Sequence, residues 1–514
     1  MGLANEIGPS PCLSVHTLNH ILCEESMPSM DQSFVLPAQQ NFPFSITNNQ
    51  EQNDLLKSMS NQIISQQFPE FSFPDHDFSE SPALFSKEML TKEETLTSEE
   101  ILKMAGTRYI GGTGYRCESY FAIPALPTED QSGLDLAQIL FVSAEMMSNR
   151  RYDQAIKLLR QCRNFSSQWG NPMQRVCYYV SGALMERIER ETRQEIKKSP
   201  KAHLDVAYNF ESGKTKTEFY GLVAFYTRVL PYVKLLQFTS MQAIIEAVGN
   251  ANNIHVIDLG IRTGCQWTVL MQYLALRGGS SSLELLKITA VGMDGEELKV
   301  SGRRLDEFAK SLAIPFCYRT VEISSMEEIN EGLFDVKQGE ALAVYAPIVL
   351  RSLLYKPVLL ECVVNVVKKL RPRIMVVTEI EADHNSPSFE NRFIEVLFYI
   401  STYFDSLDVA LPDRNDIQRV KFEEMFCGSQ IRNMIVFEGN DRRVRHVRTD
   451  VWRCFFRHTG LKEMGFSYQA WYQARLLLKK FRGGDFYSVE PNGPAITIGW
   501  KGTPLVTVSA WTCN

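Results

Sequence analysis

The sequence predicts an α/β protein with a mainly parallel sheet, a C-terminal antiparallel hairpin, an α-helical cap and a disordered N-terminal tail. Beyond residue 250, short β-branched runs alternate with stretches of helical periodicity, which is the pattern of βαβ units. The last two β-like runs are separated by only the four residues 501–504, so we expect them to pair as a hairpin. Residues 1–95 are rich in Ser, Asn, Gln and Pro and contain no apolar block able to offset the entropy of ordering.

The bulk composition excludes several classes of protein. The 514 residues carry a net charge of −6, so no overall positive field holds the chain on nucleic acid. The eleven cysteines form no CxxC pair and no cluster with histidine at metal-ligand spacing, which predicts a reduced compartment and no metal site. The most apolar stretch, 341–367, is interrupted by charges, and the N-terminus lacks the basic and apolar regions of a secretory signal. We therefore expect a soluble protein without membrane contact.

The chain divides by composition into a disordered segment 1–95, a linker 96–133 with a short helix, a mainly helical part 134–248 and an α/β core 250–512. Within the first segment, residues 68–85 interleave phenylalanines with acidic residues. That pattern suits a segment that docks in a partner's groove, and a plain solvated tail explains it equally well.

The short helix of the linker begins with a capping-box spacing between Thr97 and Glu100. From Leu134 the apolar spacing predicts a helical hairpin, followed by helices over about 172–198 and 217–248. One stripe of the hairpin contains Leu136, Leu140 and Met147, with Ile139 beside it. No 34-residue repeat follows, so the hairpin is not the start of a tetratricopeptide array.

The predicted strands are 254–260, 286–292, 316–323, 341–346, 373–380, 434–438, 495–500 and 505–511. The predicted helices of the α/β part are 266–277, 296–312, 357–370, 388–405 and 448–462. This alternation indicates a Rossmann-like sheet.

The run IHVIDLGIRTGCQW places a strand, Asp258 and a turn with Gly260 and Gly264 directly ahead of a helix. A methyltransferase binds S-adenosylmethionine at this place, and Asp294 after the second strand could hold the ribose. Ile261 and the long side chain of Arg262 would crowd such a cofactor, and GxGxxG is missing. The sequence favours a structural, vestigial turn with no cofactor.

Three other groups of residues allow both a functional and a structural interpretation. Glu379 and Glu381, followed by Asp383 and His384, could form an acid–base or cation site, although partners in the fold could satisfy them structurally. The arginine-rich run 442–448 is either a phosphate or nuclear-import patch or a solvated face. The LxxLL spacing of the last group could dock a partner or belong to the core; its residues are Leu350, Leu353 and Leu354.

In series, these blocks closely resemble the GRAS family of plant regulators. Residues 134–162 are similar to its first leucine-rich region, and residues 350–377 to its second. The VHIID block corresponds to IHVIDLG with Gly264, and its residues are His255, Asp258, Gln266 and Trp267. Residues 378–408 resemble the PFYRE block, and the closing GWxxxPLxxxSAW pattern includes Trp500, Ser509 and Trp511.

The resemblance implies a nuclear, non-enzymatic regulator of transcription in plant development, hormone or symbiosis signalling. It implies homo- or heterodimers and contacts with DNA-bound factors, with DNA reached indirectly and no cofactor or small ligand. The leucine-rich regions would supply partner contacts, or would simply close the cap onto the sheet, and their candidate residues are Leu136, Ile139, Leu140, Met147, Leu350, Leu353 and Leu354.

The sequence also departs from the pattern of the GRAS family. RRVRHV stands where the family has RVERHE, which removes acidic residues at Val444 and Val447. Residues 1–95 contain no DELLA-like string, so degradation triggered through that element is not implied. A methyltransferase or ligand sensor and a direct DNA-binding protein remain the competing hypotheses.

Overall fold

The computed structural model describes residues 96–111, 129–196, 230–276, 283–413 and 416–513. The predicted disordered segment 1–95 and residues 112–128 of the predicted linker lie outside these residues. The described residues fall into two compact units. The sheet unit contains those of 201–382 and 438–514, and the helical unit those of 42–200 and 383–437.

The helices longer than one turn are numbered in chain order. They are α1 Ser98–Gly111, α2 Glu129–Ser148, α3 Tyr152–Phe165, α4 Pro172–Ile196, α5 Pro231–Val248, α6 Cys265–Leu276, α7 Gly295–Ser311, α8 Pro357–Leu370, α9 Phe389–Ala410, α10 Ile417–Phe422, α11 Ser429–Ile435, α12 Thr449–His458 and α13 Tyr468–Leu478. A π-helical turn, Glu423–Gly428, joins α10 to α11. No helix of the described residues is long and apolar enough to cross a membrane.

The described strands of the sheet unit form one mixed sheet. They are β1 Asn253–Asp258, β2 Leu285–Gly292, β3 Phe316–Glu322, β4 Ala341–Pro347, β5 Ile374–Ile380, β6 Leu461–Met464, β7 Tyr487–Asn492, β8 Ala495–Trp500 and β9 Thr503–Cys513. Their order is β3-β2-β1-β4-β5-β9-β8-β7, and β6 pairs with β9. Strands β1 to β5 are parallel to one another, whereas β9 runs antiparallel to β5 and β8. The predicted Rossmann-like sheet with its C-terminal hairpin is confirmed.

The central strands are covered on both faces, as their continuous apolar sequences predict. Strands β1, β4 and β5 are buried along almost their whole length. One face packs against α8 and α12 in a core that includes Val344, Val363, Trp452 and Trp511. Helix α5 packs against β4, β5 and β9.

The helical unit confirms the predicted capping box at the start of α1. The Glu100 backbone N–H donates to Thr97 Oγ1 at 3.1 Å, and the Thr97 backbone N–H donates to Glu100 Oε2 at 2.8 Å. The predicted hairpin forms as α2 and α3, and α9 packs against α1, α2, α4 and α11.

Three features differ from the sequence prediction. The run 434–438 is not a strand, because α11 extends to Ile435 and the residues after it are buried loop. Strands β6 and β7 were not predicted. Helix α5 belongs to the sheet unit and residues 383–437 to the helical unit, since periodicity identifies a buried helix face but not the element that covers it.

Candidate functional site

The carboxyl end of β1 is the place where this fold could hold a nucleotide, and Asp258 lies there. Its side chain is fully buried and accepts three hydrogen bonds from the chain itself. Oδ1 accepts the Gly260 backbone N–H at 3.1 Å, while Oδ2 accepts Gln266 Nε2 at 3.0 Å and Trp267 Nε1 at 2.9 Å. The carboxylate therefore ties the end of β1 to the turn and to the first residues of α6.

The electrostatics of Asp258 follow from this enclosure. Burial raises the pKa of Asp258 to about 7, although the hydrogen bonds from Gly260, Trp267 and Gln266 favour its charged form. Perturbed carboxyls often mark active sites. Here donors of the chain itself take three of the roughly four acceptor positions of the carboxylate.

Trp267 fills space next to this carboxylate. Its ring is completely buried and meets the ring of Tyr345 edge-on, with centroids 5.6 Å apart. Because Tyr345 belongs to β4, the indole packs across the carboxyl edge of neighbouring strands.

The turn after β1 is closed by apolar packing. Gly264 has φ +71°, a backbone conformation that favours glycine, and a Cβ there would lie in tight contact, 3.0 Å from Leu305 Cδ1. Ile261 is only 7% exposed, and the Arg262 carbonyl accepts the Ser301 hydroxyl at 2.9 Å. The turn is therefore packed and hydrogen-bonded against α7.

The acidic residue after β2 also has a structural role. Asp294 caps α7 by accepting the backbone N–H groups of Glu296 and Glu297 at 3.0 and 3.3 Å. The cavity between this cap and the turn has a volume of about 50 Å³. Ligand pockets have roughly 300–1,000 Å³, so this space does not admit a nucleotide cofactor.

The acidic pair at the end of β5 is satisfied within the fold. Glu379 is buried and accepts the Arg351 backbone N–H at 3.1 Å, and burial raises its pKa to about 7. Glu381 accepts the Thr449 backbone N–H at 3.1 Å and the Thr507 hydroxyl at 2.8 Å. No group of His, Cys, Asp and Glu among the described residues could hold a metal ion.

The arginine-rich run 442–448 is not the solvated face that the sequence allowed. Arg442 is 3% exposed, and Val447 belongs to the core beneath α8 and α12. His446 is buried against Arg351, with Nε2 and the guanidinium nitrogen 2.8 Å apart. Arg445 donates to the carbonyls of Arg442 and Gly439. The run is therefore built into the sheet unit.

Comparison with known proteins identifies the family of the chain. The model of the GRAS domain family matches residues 136–512. The chain belongs to the GRAS domain family.

Plant relatives and one solved structure support this membership. The chain is 33% identical to the DELLA protein GAI1 of Vitis vinifera over 405 residues, covering 78% of this chain and 65% of that protein. The DELLA protein 1 of Medicago truncatula is 32% identical, with 74% and 63% covered. The chain thus spans about two thirds of the length of these relatives. The crystal structure of SCL7 from Oryza sativa superposes with TM-score 0.64 at 28% identity, covering 73% of this chain and 99% of SCL7.

Most candidate residues of the two predicted leucine-rich regions are buried in the described fold. The first region lies on α2, and its candidate residues are at most 4% exposed: Leu136, Ile139, Leu140 and Met147. In the second, Leu350 and Leu353 lie in a one-turn helix and are equally buried, and Leu354 packs beside them partly buried. These side chains have a packing role, and partner contact through them stays a prediction.

The remaining GRAS block residues are structural as well. Trp511 is fully buried, donates to Ser509 Oγ at 2.9 Å, and packs on Phe456 with ring centroids 4.7 Å apart. Trp500 is 1% exposed and lies edge-on against Tyr487 of β7. These contacts anchor the C-terminal hairpin.

His255 lies within β1, three residues before Asp258, in a buried polar cluster. Its Nδ1 is 3.0 Å from Glu340 Oε2 and its Nε2 is 2.8 Å from Thr289 Oγ1. Lys287 forms an ion pair with Glu340 at 2.6 Å. Burial, and then the Lys287 ammonium, lower the pKa of His255 to about 4.

Sequence reasoning missed a buried ionic network in the helical unit. Glu423, in the π-helical turn, accepts Arg419 Nη1 at 2.9 Å and lies 3.1 Å from Arg175 Nε, with all three side chains fully buried. Arg175 also reaches Asp408 at 2.6 Å. The i,i+4 spacing of Arg419 and Glu423 was the one available signal, and on a surface helix it would mean little.

Proposed function

We propose that this chain is a nuclear regulator of plant transcription in development, hormone or symbiosis signalling, without catalytic activity. It acts through contacts with DNA-bound factors and with other GRAS proteins as a homo- or heterodimer, and it reaches DNA indirectly. The GRAS family match and the plant DELLA relatives support the regulatory class.

One observation carries the non-enzymatic part of the proposal. The end of β1 has its acidic residue bound by three donors of the chain and its turn packed against α7. A cofactor would have to displace a fully buried tryptophan to reach Asp258.

Charge and burial support indirect DNA contact. The net charge of −6 gives no overall attraction to phosphate. In the arginine-rich run 442–448, Arg442 is buried and Arg445 donates to a backbone carbonyl, which leaves less positive charge available to bind phosphate.

A tethering assay tests the proposal. The full chain, fused to a fluorescent protein and to a heterologous DNA-binding domain, is expressed in plant protoplasts with a reporter that carries the matching site. We expect nuclear fluorescence and a change of several-fold in reporter transcription, with no change when the DNA-binding domain is omitted. A nuclear, intact fusion that leaves transcription unchanged would contradict the proposal.

A further inference from the structure

Helix α13 presents an aromatic and basic stripe on its outer face. Tyr468 is 72% and Tyr472 47% exposed, and Arg475 and Lys479 are also exposed. Spacings of four, three and four residues bring all four side chains onto one face of the helix. We call these four residues the Tyr–Arg stripe.

The stripe is not needed to hold α13 in place. The opposite face contains Ala470, Ala474, Leu477 and Leu478, which are buried. Helix α13 packs against α5 and β7 within the sheet unit. Trp471 adds a hydrogen bond from Nε1 to the Val489 carbonyl at 3.0 Å.

The two tyrosines form an exposed aromatic surface. Their rings are stacked, with centroids 6.0 Å apart and an interplanar angle of 16°. The Tyr468 ring also lies beside the Trp471 ring, with centroids 5.8 Å apart. Exposed large apolar groups that cluster in this way commonly mark binding surfaces.

The positive charges beside the tyrosines lack acidic partners in the described part of the chain. No ion pair is formed there by Arg475, Lys479, Lys480 or Arg482, which are all exposed. The Arg475 guanidinium lies over the Trp471 ring at 4.7 Å, which orients it along the helix face. The surface therefore suits a ligand that is both acidic and aromatic.

The chain itself contains a segment of that chemistry. Residues 68–85 include five phenylalanines, four acidic residues and no lysine or arginine. Residues 1–95 carry thirteen acidic and three basic residues, so the rest of the chain is net positive although the whole is at −6. The charge complementarity lies between the N-terminal segment and the remainder of the protein.

We propose that segment 68–85 docks on the Tyr–Arg stripe of the same chain. Its acidic side chains pair with Arg475 and Lys479, and its phenylalanine rings pack on Tyr468 and Tyr472. In the docked state the segment is withheld from other proteins. The inference goes beyond the regulator proposal and does not rest on it.

Zero-length carbodiimide cross-linking of the full chain tests this docking. The reagent joins lysine amines to carboxylates in contact, and mass spectrometry of mixed ¹⁴N and ¹⁵N chains separates links within a chain from links between copies. We expect links from Lys479 or Lys480 to Glu70, Asp75, Asp77 or Glu80 within one chain. Their yield should fall about threefold from about 50 to about 500 mM NaCl, because exposed charges are screened.

Two variants and one control complete the test. Tyr468→Ala with Tyr472→Ala, and separately Phe71→Ala with Phe73→Ala and Phe78→Ala, should each lower the yield about fivefold. The second variant changes only residues outside the described part of the chain. Val358→Ala, at an exposed residue of α8, should leave the yield unchanged.

Either of two results would overturn the docking. Links only between copies would place the segment on a second molecule. Missing links together with binding of labelled single-stranded DNA that the tyrosine variant loses would make the stripe a nucleic-acid surface.

Discussion

At the scale of single residues, Asp258 shows how a position suited to catalysis can become structural. A buried carboxyl with a pKa of about 7 would serve well as a general base if one face were open to substrate. In this chain, N–H groups of Gly260, Gln266 and Trp267 donate hydrogen bonds to the Asp258 carboxylate instead. The same side chain now fixes the strand, the turn and the helix relative to one another.

Trp267→Phe tests this role. Phenylalanine removes the indole N–H and leaves a small void, so we expect the free energy of unfolding to fall by about 2–4 kcal/mol. Urea unfolding followed by circular dichroism measures it. Tyr472→Phe, at an exposed site, is the control, and a loss below about 0.5 kcal/mol in Trp267→Phe would contradict the account.

His255 predicts how stability depends on pH. Its pKa is about 4 in the folded chain against about 6.5 when unfolded, so between these values only the unfolded chain holds the proton. Stability from this residue is therefore lost as the pH falls from about 6.5 towards 4. Asp258 and Glu379, with raised pKa values, give the opposite slope, because there the folded chain holds the extra proton.

The variant His255→Gln isolates this effect. In the unaltered chain, protonation of His255 lowers the free energy of unfolding between about pH 7 and pH 4.5. In the variant this contribution is missing, so at pH 4.5 relative to pH 7 its free energy of unfolding should be higher than that of the unaltered chain by roughly 2–3 kcal/mol. Urea unfolding at both pH values measures it, with exposed His458→Gln as the control. An unchanged difference in His255→Gln would show that the imidazole titrates normally.

At the scale of elements, the predicted second leucine-rich region contains both a residue packed in the core and a residue exposed to solvent. Leu353 is 4% exposed in the core beneath α8, whereas Val358 at the start of α8 is 76% exposed. Both belong to a stretch whose sequence would allow partner binding.

We expect Leu353→Ala to lower the free energy of unfolding by about 2–4 kcal/mol, because it leaves a cavity among Leu350 and its neighbours. Val358→Ala should change it by less than about 0.5 kcal/mol. Urea unfolding compares the two. Equal, small effects would mean that Leu353 is not packed as described and is available to a partner.

The elements also show what the sequence could predict. The parallel strands were found because both of their faces are buried, which makes them continuous β-branched runs. Residues 434–438 have the same apolar character, yet they end a short helix that is buried on most sides, and periodicity alone does not separate these cases. Strand β6 has only four residues, two of them charged, and β7 is an edge strand with Pro491, so neither has the apolar signal.

At the scale of the whole molecule, the order of family blocks predicted the fold and the GRAS membership. The spacing of Asp258, Gln266 and Trp267 did not reveal their mutual hydrogen bonds, because residues eight and nine apart meet only once the strand, turn and helix have formed. The division between units also escaped prediction, since residues 383–437 return to the helical unit after the sheet has begun.

The central claim is that the Rossmann-like turn is closed by the chain's own side chains. Isothermal titration calorimetry of the full chain with S-adenosylmethionine tests it most directly. We predict no heat beyond dilution at ligand concentrations up to about 1 mM, because the cavity of about 50 Å³ between the turn and Asp294 does not admit the cofactor. One-site binding with a Kd of about 1–10 μM, weakened in Asp294→Asn, would contradict the claim.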